Sequence, residues 1–387
     1  MQEKIRTCFI LMITFIIAML CLVNLKRFVT VYEQKKVEGI KEANDYAEIE
    51  NAFRENIACK NILINTYGFY QKAINHTIVG NFEYVADEYG ILHMINDTDS
   101  DDIEGFTKEL KELKSYVDKM GLPFMYVQAP NREVVNGDNA AIKEFNIDDF
   151  IETKIVEKLQ KEDIPVLDLR TRLSVSERTF ELTDLFLHTD LHMKTDAEIW
   201  MAAQLADYLN AQFDIEVNNP EYLSDMSYFD KKTYKMVGNY ARTYGEFFVG
   251  SDDFDIYHPK FGTSFQYYIP GRDDSNRNGT FEEIVLNGYE NNEYNQYTYW
   301  VTNYMHFMEP YYTYINNSQP SVKLLIMTDS IAYRAISQLL LTTQKITILD
   351  PRFFGDVDYV KVALQDDYDA VIVWQGCYLL NAPFLIK

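Results

Sequence analysis

The chain has 387 residues, 47% of them hydrophobic and 14% aromatic, enough for a large buried core and too apolar for a disordered polymer. Its 59 acidic residues against 36 basic ones leave a net charge of −23, which excludes a phosphate-tracking nucleic-acid binder and argues against broad adhesion to anionic lipid. No CxxC spacing points to a metal, and of Cys8, Cys21, Cys59 and Cys377 only the last two lie outside the N-terminal apolar run and could bridge in a folded domain.

Between Arg6 and Lys26 run 19 residues without a charge. A spanning helix needs about 20 apolar residues. The run ends in Val23-Asn24-Leu25-Lys26-Arg27, with no small-residue cleavage site, which favours an uncleaved anchor over a signal peptide. Residues 1–27 are therefore expected to be a transmembrane signal anchor, crossing the membrane through residues 7–25. Lys4 and Arg6 favour a cytoplasmic N-terminus, although Lys26, Arg27, Lys35 and Lys36 pull the other way. The expectation is a single-pass protein of the cell membrane with the bulk of the chain extracytoplasmic.

Residues 28–75 read as a polar helical stalk, and 76–100 as a short mixed segment; together, 28–100 form the N-terminal region. From residue 101 onward strands and helices alternate. Helices are expected at 103–119, 147–161 and 195–213, the last with Ile199, Ala202, Leu205 and Leu209 at helical spacing. Strands are expected at 123–128 and 164–168. After residue 320 the alternation resumes: strands at 322–327, 346–349 and 370–374, helices at 331–341 and 357–364. This pattern predicts an α/β domain over 101–387, its parallel sheet covered on both faces. Residues 215–310, rich in Tyr, Asn and Asp, read as a β-rich insertion. Within it, 272–279 (RDDSNRNG) reads as a solvated polar loop; it lacks the full ligand spacing of a calcium site.

In α/β sheets, ligands bind outside the carboxyl ends of strands. Thr328-Asp329-Ser330 sits at such an end, between a buried strand and a helix. Asp-Ser before a helix is also an ordinary capping pair. A serine hydroxyl there becomes a nucleophile only with a base beside it and a group to orient that base. Thr189-Asp190-Leu191-His192 supplies both: His192 to move the proton and Asp190 to hold the imidazole. His188 is four residues before His192, a metal-binding spacing on a helix, but the Thr189-Asp190 break argues for a loop. The Ser-His-Asp chemistry needs no cofactor and no metal.

At these residues the chain resembles a known group. Phe186-x-x-Thr189-Asp190-x-His192-Met193 is similar to the "TDxHW" block of the DHHW proteins. These are relatives of the alginate O-acetylation proteins, within the SGNH-hydrolase-like superfamily. Leu324 to Ser330 resembles their Gly-Asp-Ser block, Asp350-Pro351-Arg352-Phe353-Phe354 the "DxRxF" segment, and Asp369 to Trp374 the last core strand. Gly238-Asn239-Tyr240-Ala241-Arg242 and Asp255-Ile256-Tyr257-x-Pro259-Lys260 look like segments of the family's insertion.

The resemblance implies an SGNH-hydrolase-like three-layer fold and a permuted triad, with Ser330 as nucleophile, His192 as base and Asp190 as its partner. Asp329, Arg352 and Gln375 are then candidates for holding substrate or oxyanion. It further implies acetyl transfer to an extracytoplasmic polysaccharide, with a membrane-bound O-acyltransferase as a partner. A polysaccharide acetylesterase, and a catalytically silent polysaccharide-binding or scaffold protein of an export complex, are the alternatives. Two residues depart from the pattern: Thr328 replaces glycine, where a β-branched residue would resist positive φ, and Met193 replaces Trp, removing an aromatic wall.

Overall fold

The computed structural model describes residues 2–38, 49–54, 56–80, 82–87, 90–95, 100–130, 132, 150–173, 185–286 and 309–376. The α/β domain is built on an eight-stranded mixed sheet, ordered β5-β4-β13-β11-β12-β10-β8-β9. Its parallel part comprises β4 (Phe124–Gln128), β5 (Val166–Asp168), β11 (Lys323–Thr328), β12 (Lys345–Leu349) and β13 (Ala370–Gln375).

Both faces of this part are covered, and the period-2 alternation of the strands shows how. Leu324 and Ile326 of β11 join one core with Ile372 and Trp374 of β13, under α6 (Thr195–Phe213) and α10 (Tyr333–Leu339). Leu325 and Met327 join a second core with Val371 and Val373, under α3 (Ser100–Lys119) and α4 (Phe150–Lys161). Residues i and i+1 of a strand face opposite sides, so a strand buried on both faces must be apolar throughout. β11, β12 and β13 are fully buried apart from the first residue of β11.

The β-rich insertion is only partly separate. β6 (Phe229–Met236) and β7 (Asp252–Pro259) form an antiparallel ribbon of their own. β8 (Phe265–Ile269) and β9 (Arg272–Gly279) extend the main sheet through β10 (Tyr311–Asn316), all antiparallel. This corrects the loop expected at 272–279. RDDSNRNG is the outermost strand of the sheet, exposed at six of its eight positions, and its charges make it a poor template for another edge. Among the described residues no cluster of three or more His, Cys, Asp or Glu could hold a metal ion.

The N-terminal region carries α1 (Gln2–Glu38), α2 (Lys60–Ala73) and a small antiparallel sheet that the sequence reading did not foresee. That sheet is made of β1 (Ile78–Val79), β2 (Tyr84–Ala86) and β3 (Leu92–Met94). Its apolar residues pack against α7 (Asn239–Tyr244) and α8 (Glu246–Val249). Among the described residues no helix is long and apolar enough to cross a membrane. The span expected over 7–25 includes positions 7–10, 13 and 16, whose side chains lie outside that description. Cys59 is a free thiol, and Cys377 lies outside the described residues.

Candidate functional site

β11 ends at Thr328, and Asp329 caps a single 3₁₀ turn, Ser330–Ala332, that leads into α10. The Asp329 carboxylate accepts the amide of Ile331 at 3.0 Å and, from the end of β13, the amide of Gly376 at 3.3 Å. Gly376 has to be glycine here, because a Cβ would stand 2.3 Å from that of Ile331. Ser330 is thus presented at the carboxyl end of a central parallel strand and is nearly buried, at 6% exposure. Thr328 is not strained. It pairs with Trp374 as the last ladder residue of β11 and is not among the positive-φ residues, so the penalty expected from a β-branched side chain does not arise.

Asp190 and His192 sit in a loop between Leu185 and Lys194 that is tied down on every side. Leu187 N–H donates to the His192 carbonyl and Lys194 N–H to that of Leu185. The Asp252 carboxylate accepts the amides of His188 and Thr189 at 2.7 and 2.8 Å and the Thr189 hydroxyl at 2.6 Å. Arg132 donates to the Leu187 and Asp190 carbonyls, and also to the Leu92 carbonyl of β3 at 2.9 Å. Its guanidinium lies 5.9 Å from the Phe186 ring and 5.2 Å from that of Tyr240.

Within this frame His192 Nδ1 pairs with Asp190 Oδ1 at 2.6 Å, and the amide of Asn239 donates to Asp190 Oδ2 at 2.8 Å. Burial pushes the Asp190 carboxyl up. The hydrogen bond and charge of His192 and the amides of Asn239 and His192 outweigh it, leaving the carboxyl below its usual value. The other imidazole nitrogen, Nε2, is buried without a hydrogen-bond partner. That is the atom a proton-accepting base needs to present.

The two halves of the site are joined through Arg334 of α10. It donates to the Met193 carbonyl and to Glu198 Oε1 of α6 at 2.6 Å, and its guanidinium lies 5.0 Å from the Phe254 ring. Met193, the residue at the place of the family's Trp, is fully buried in the core. The structure pairs Asp190 with His192 but makes no hydrogen bond between His192 Nε2 and Ser330.

The three oxyanion candidates are placed differently. Asp329 serves the turn. Arg352 points its Nε and Nη2 at Asp350, at 2.9 and 2.6 Å. Gln375 is buried at the end of β13 with its side-chain oxygen unpartnered. His188, the other ring in this loop, reaches the Gly90 carbonyl at 3.2 Å.

Sequence reasoning missed Arg132, Asp252, Glu198 and Arg334. Arg132 could have been flagged, since it follows the carboxyl end of β4, the same end as Ser330. Asp252 had no such signal, because only the fold brings 252 to 188.

A buried acid–histidine pair, in a loop tied through Arg334 to the helix that follows a serine on a strand-to-helix turn, makes a candidate hydrolase- or transferase-type nucleophile site. No protein-family model and no curated protein sequence matches the chain. Solved structures do match in fold. Bacillus cereus PatB1 with a sulfonyl adduct aligns at a TM-score of 0.60 and 15% identity, over 79% of this chain and 97% of that one. A DHHW family protein from Eubacterium siraeum aligns at 0.53 and 14%, over 71% and 84%. The O-acetyltransferase domain of Pseudomonas putida AlgJ aligns at 0.41 and 12%, over 76% and 89%, too distant to argue from. The fold is therefore one shared with PatB1 and a DHHW family protein.

Proposed function

We propose that the protein transfers acetyl groups in the O-acetylation of a cell-surface or exported polysaccharide, through Ser330, His192 and Asp190. The observation that supports this is the buried Asp190–His192 pair with its second nitrogen unpartnered, in a loop tied by Arg334 to the helix that follows Ser330. The permuted order of the motif and the fold shared with a DHHW family protein support the choice of chemistry.

In the proposed reaction Ser330 Oγ attacks the acetyl carbonyl while His192 Nε2 takes its proton. The tetrahedral intermediate collapses, and the proton passes to the leaving group. The acetyl-serine is then attacked by a sugar hydroxyl, whose proton returns through His192. Asp190 fixes the imidazole tautomer and stabilises the imidazolium. The absence of a Ser330–His192 hydrogen bond is compatible with this, because catalytic hydrogen bonds often tighten only with substrate present. Water in place of the sugar would make the same intermediate an acetylesterase.

In this reading α1 anchors the chain in the cell membrane, the domain lies outside the cytoplasm, and a membrane-bound O-acyltransferase supplies acetyl groups. A sulfonyl fluoride tests the nucleophile. Mass spectrometry should locate the adduct on Ser330, and His192→Ala should abolish labelling. Labelling elsewhere, or labelling of Ser330 unaffected by His192→Ala, would overturn it.

A further inference from the structure

Gly238-Asn239-Tyr240, in the insertion, sends three successive amides to the loop that carries Asp190. Gly238 N–H donates to the Thr189 hydroxyl at 2.8 Å, Asn239 N–H to Asp190 Oδ2 at 2.8 Å, and Tyr240 N–H to the Thr189 carbonyl at 2.9 Å. The approach needs a glycine. A Cβ on Gly238 would stand 2.5 Å from the Thr189 carbonyl oxygen and 2.7 Å from Asp190 Cβ. Its φ of −71° is open to any residue, so space and not conformation makes the demand.

Thr189 is the hub of this contact. A hydroxyl has one proton to donate and two lone pairs to accept with. The Thr189 hydroxyl donates to Asp252 Oδ2 at 2.6 Å and accepts from Gly238. Its amide also goes to Asp252, and its carbonyl accepts from Tyr240, so each polar group of this fully buried residue is committed. Asp252 opens β7 and Gly238 precedes α7, so two separate elements grip Thr189 at once. Asp190, next in the chain, takes its place from that grip, and Asn239 adds a bond of its own.

Behind α7 stands α2. A Cβ on Gly68 would lie 2.6 Å from the Tyr244 carbonyl oxygen, and one on Gly245 would lie 2.8 Å from that of Ile64. α2 and the α7–α8 joint therefore meet backbone to backbone. Beside that contact Glu246 N–H donates to Asn65 Oδ1 at 2.7 Å. Two close glycine contacts thus run in series from the N-terminal region to Asp190, one at Gly68 and one at Gly238. Such packing transmits displacement, because no flexible side chain lies between the backbones to absorb it.

We infer that this series of contacts is a positioning device for the proposed site: Thr189 and Gly238–Tyr240 hold Asp190 against His192, and α2 braces them from the N-terminal region. This rests on the reading of Asp190 as the partner of a catalytic His192. A misplacement of about 1 Å in such a system can cost about 10²-fold in rate. The charged groups around Asp190 are His192 in its own loop, Arg132 on its carbonyl, Asp252 on Thr189 and Glu198 of α6. Burial raises the Asp190 carboxyl, and His192 with the Asn239 amide brings it below its usual value. Loosening the grip gives back part of that lowering, so the carboxyl then titrates at higher pH.

The test uses the full chain and compares Thr189→Val, which keeps the shape and deletes the hydroxyl, with Thr189→Ser, which keeps the hydroxyl. Thr189→Val should lower kcat on a chromogenic acetyl ester by about 10²-fold, with KM within about twofold, and Thr189→Ser should recover most of the loss. Carbon NMR of the Asp190 carboxyl, assigned through Asp190→Asn, should show a higher titration midpoint in Thr189→Val and a near-wild-type one in Thr189→Ser. Gly68→Ala, on α2, should move both readouts the same way by less. Gly105→Ala, with open space around its Cβ, should move neither. Unchanged kcat and titration in Thr189→Val would overturn the clamp, and unchanged values in Gly68→Ala would overturn the brace. Gly68→Ala carries the test alone where Thr189→Val does not fold by circular dichroism. If Ser330→Ala keeps wild-type turnover while the Asp190 titration still moves in Thr189→Val, the proposed function falls and the positioning of Asp190 stands.

Discussion

The described residues include two buried aspartate–histidine pairs, and their difference separates a proposed site from a brace. Asp190 and His192 pair at 2.6 Å through Nδ1. Asp87 and His93 pair at 3.0 Å through Nε2, with both side chains fully buried between β2 and β3. Each aspartate also takes a local backbone amide, that of His192 in the first case and of Ile91 in the second. Acid, base and burial are therefore shared. What differs is position: the first lies in a loop bound through Arg334 to the helix that follows Ser330, and the second fixes a small sheet whose Leu92 carbonyl anchors Arg132. The first pair belongs to the proposed site, while the second holds the small sheet that anchors Arg132. An Asp–His pair alone is thus no sign of catalysis.

The sharpest way to break the comparison is to remove members of the first pair. Ser330→Ala and His192→Ala should each lower turnover of a chromogenic acetyl ester by about 10⁶-fold, with the double variant adding little. Asp190→Asn should cost about 10⁴-fold, through loss of the correct tautomer. Wild-type turnover in Ser330→Ala would end the nucleophile assignment. Full additivity in the double variant would show that the two residues do not act as a unit.

For the second pair the expected effect falls on stability. His93→Ala should leave ester turnover within about twofold, while costing about 2 kcal/mol in urea unfolding, because the Asp87 carboxylate loses a buried partner. A collapse of turnover at unchanged stability would make His93 part of the site and erase the distinction.

Much of this was legible in the sequence. Helix 195–213 matches the structure residue for residue, because its apolar spacing is regular and Asp196 and Glu198 mark its first turn. The strands expected at 123–128, 322–327 and 370–374 lie within one residue of those in the structure, because each is built on a short apolar run. Asp190, His192 and Ser330 stood out as candidates because each lies in a short motif, and the structure pairs the first two. The small sheet of β1–β3 was not legible, since strands of two or three residues carry no periodicity. The edge strand at 272–279 was misread because its polarity reflects solvent on an outer strand as well as it would a loop. Thr328 was misjudged on a glycine's usual role, where the backbone here is plain extended strand. Arg132 and Asp252 brace the loop through backbone carbonyls and amides, and such contacts leave no mark on the sequence of the loop itself.

The smallest expected effect concerns the link between the two halves of the site. Burial lifts the Glu198 carboxyl from an ordinary 4.5 to about 8, against the pull of Arg334. Between those values the folded protein holds a proton that the unfolded chain has already released. Raising the pH through this window therefore favours the unfolded state, and the contribution present below 4.5 is lost by about 8. Glu198→Gln resembles the protonated carboxyl in shape and charge but cannot titrate. Its melting temperature should match wild type near pH 4.5 and exceed it progressively toward pH 8. Because Arg334 also holds the Met193 carbonyl beside His192, ester turnover should follow the same divergence with smaller amplitude. Parallel melting curves for the two proteins would show that Glu198 stays ionised beside Arg334 throughout, and that the link between the halves is a permanent ion pair.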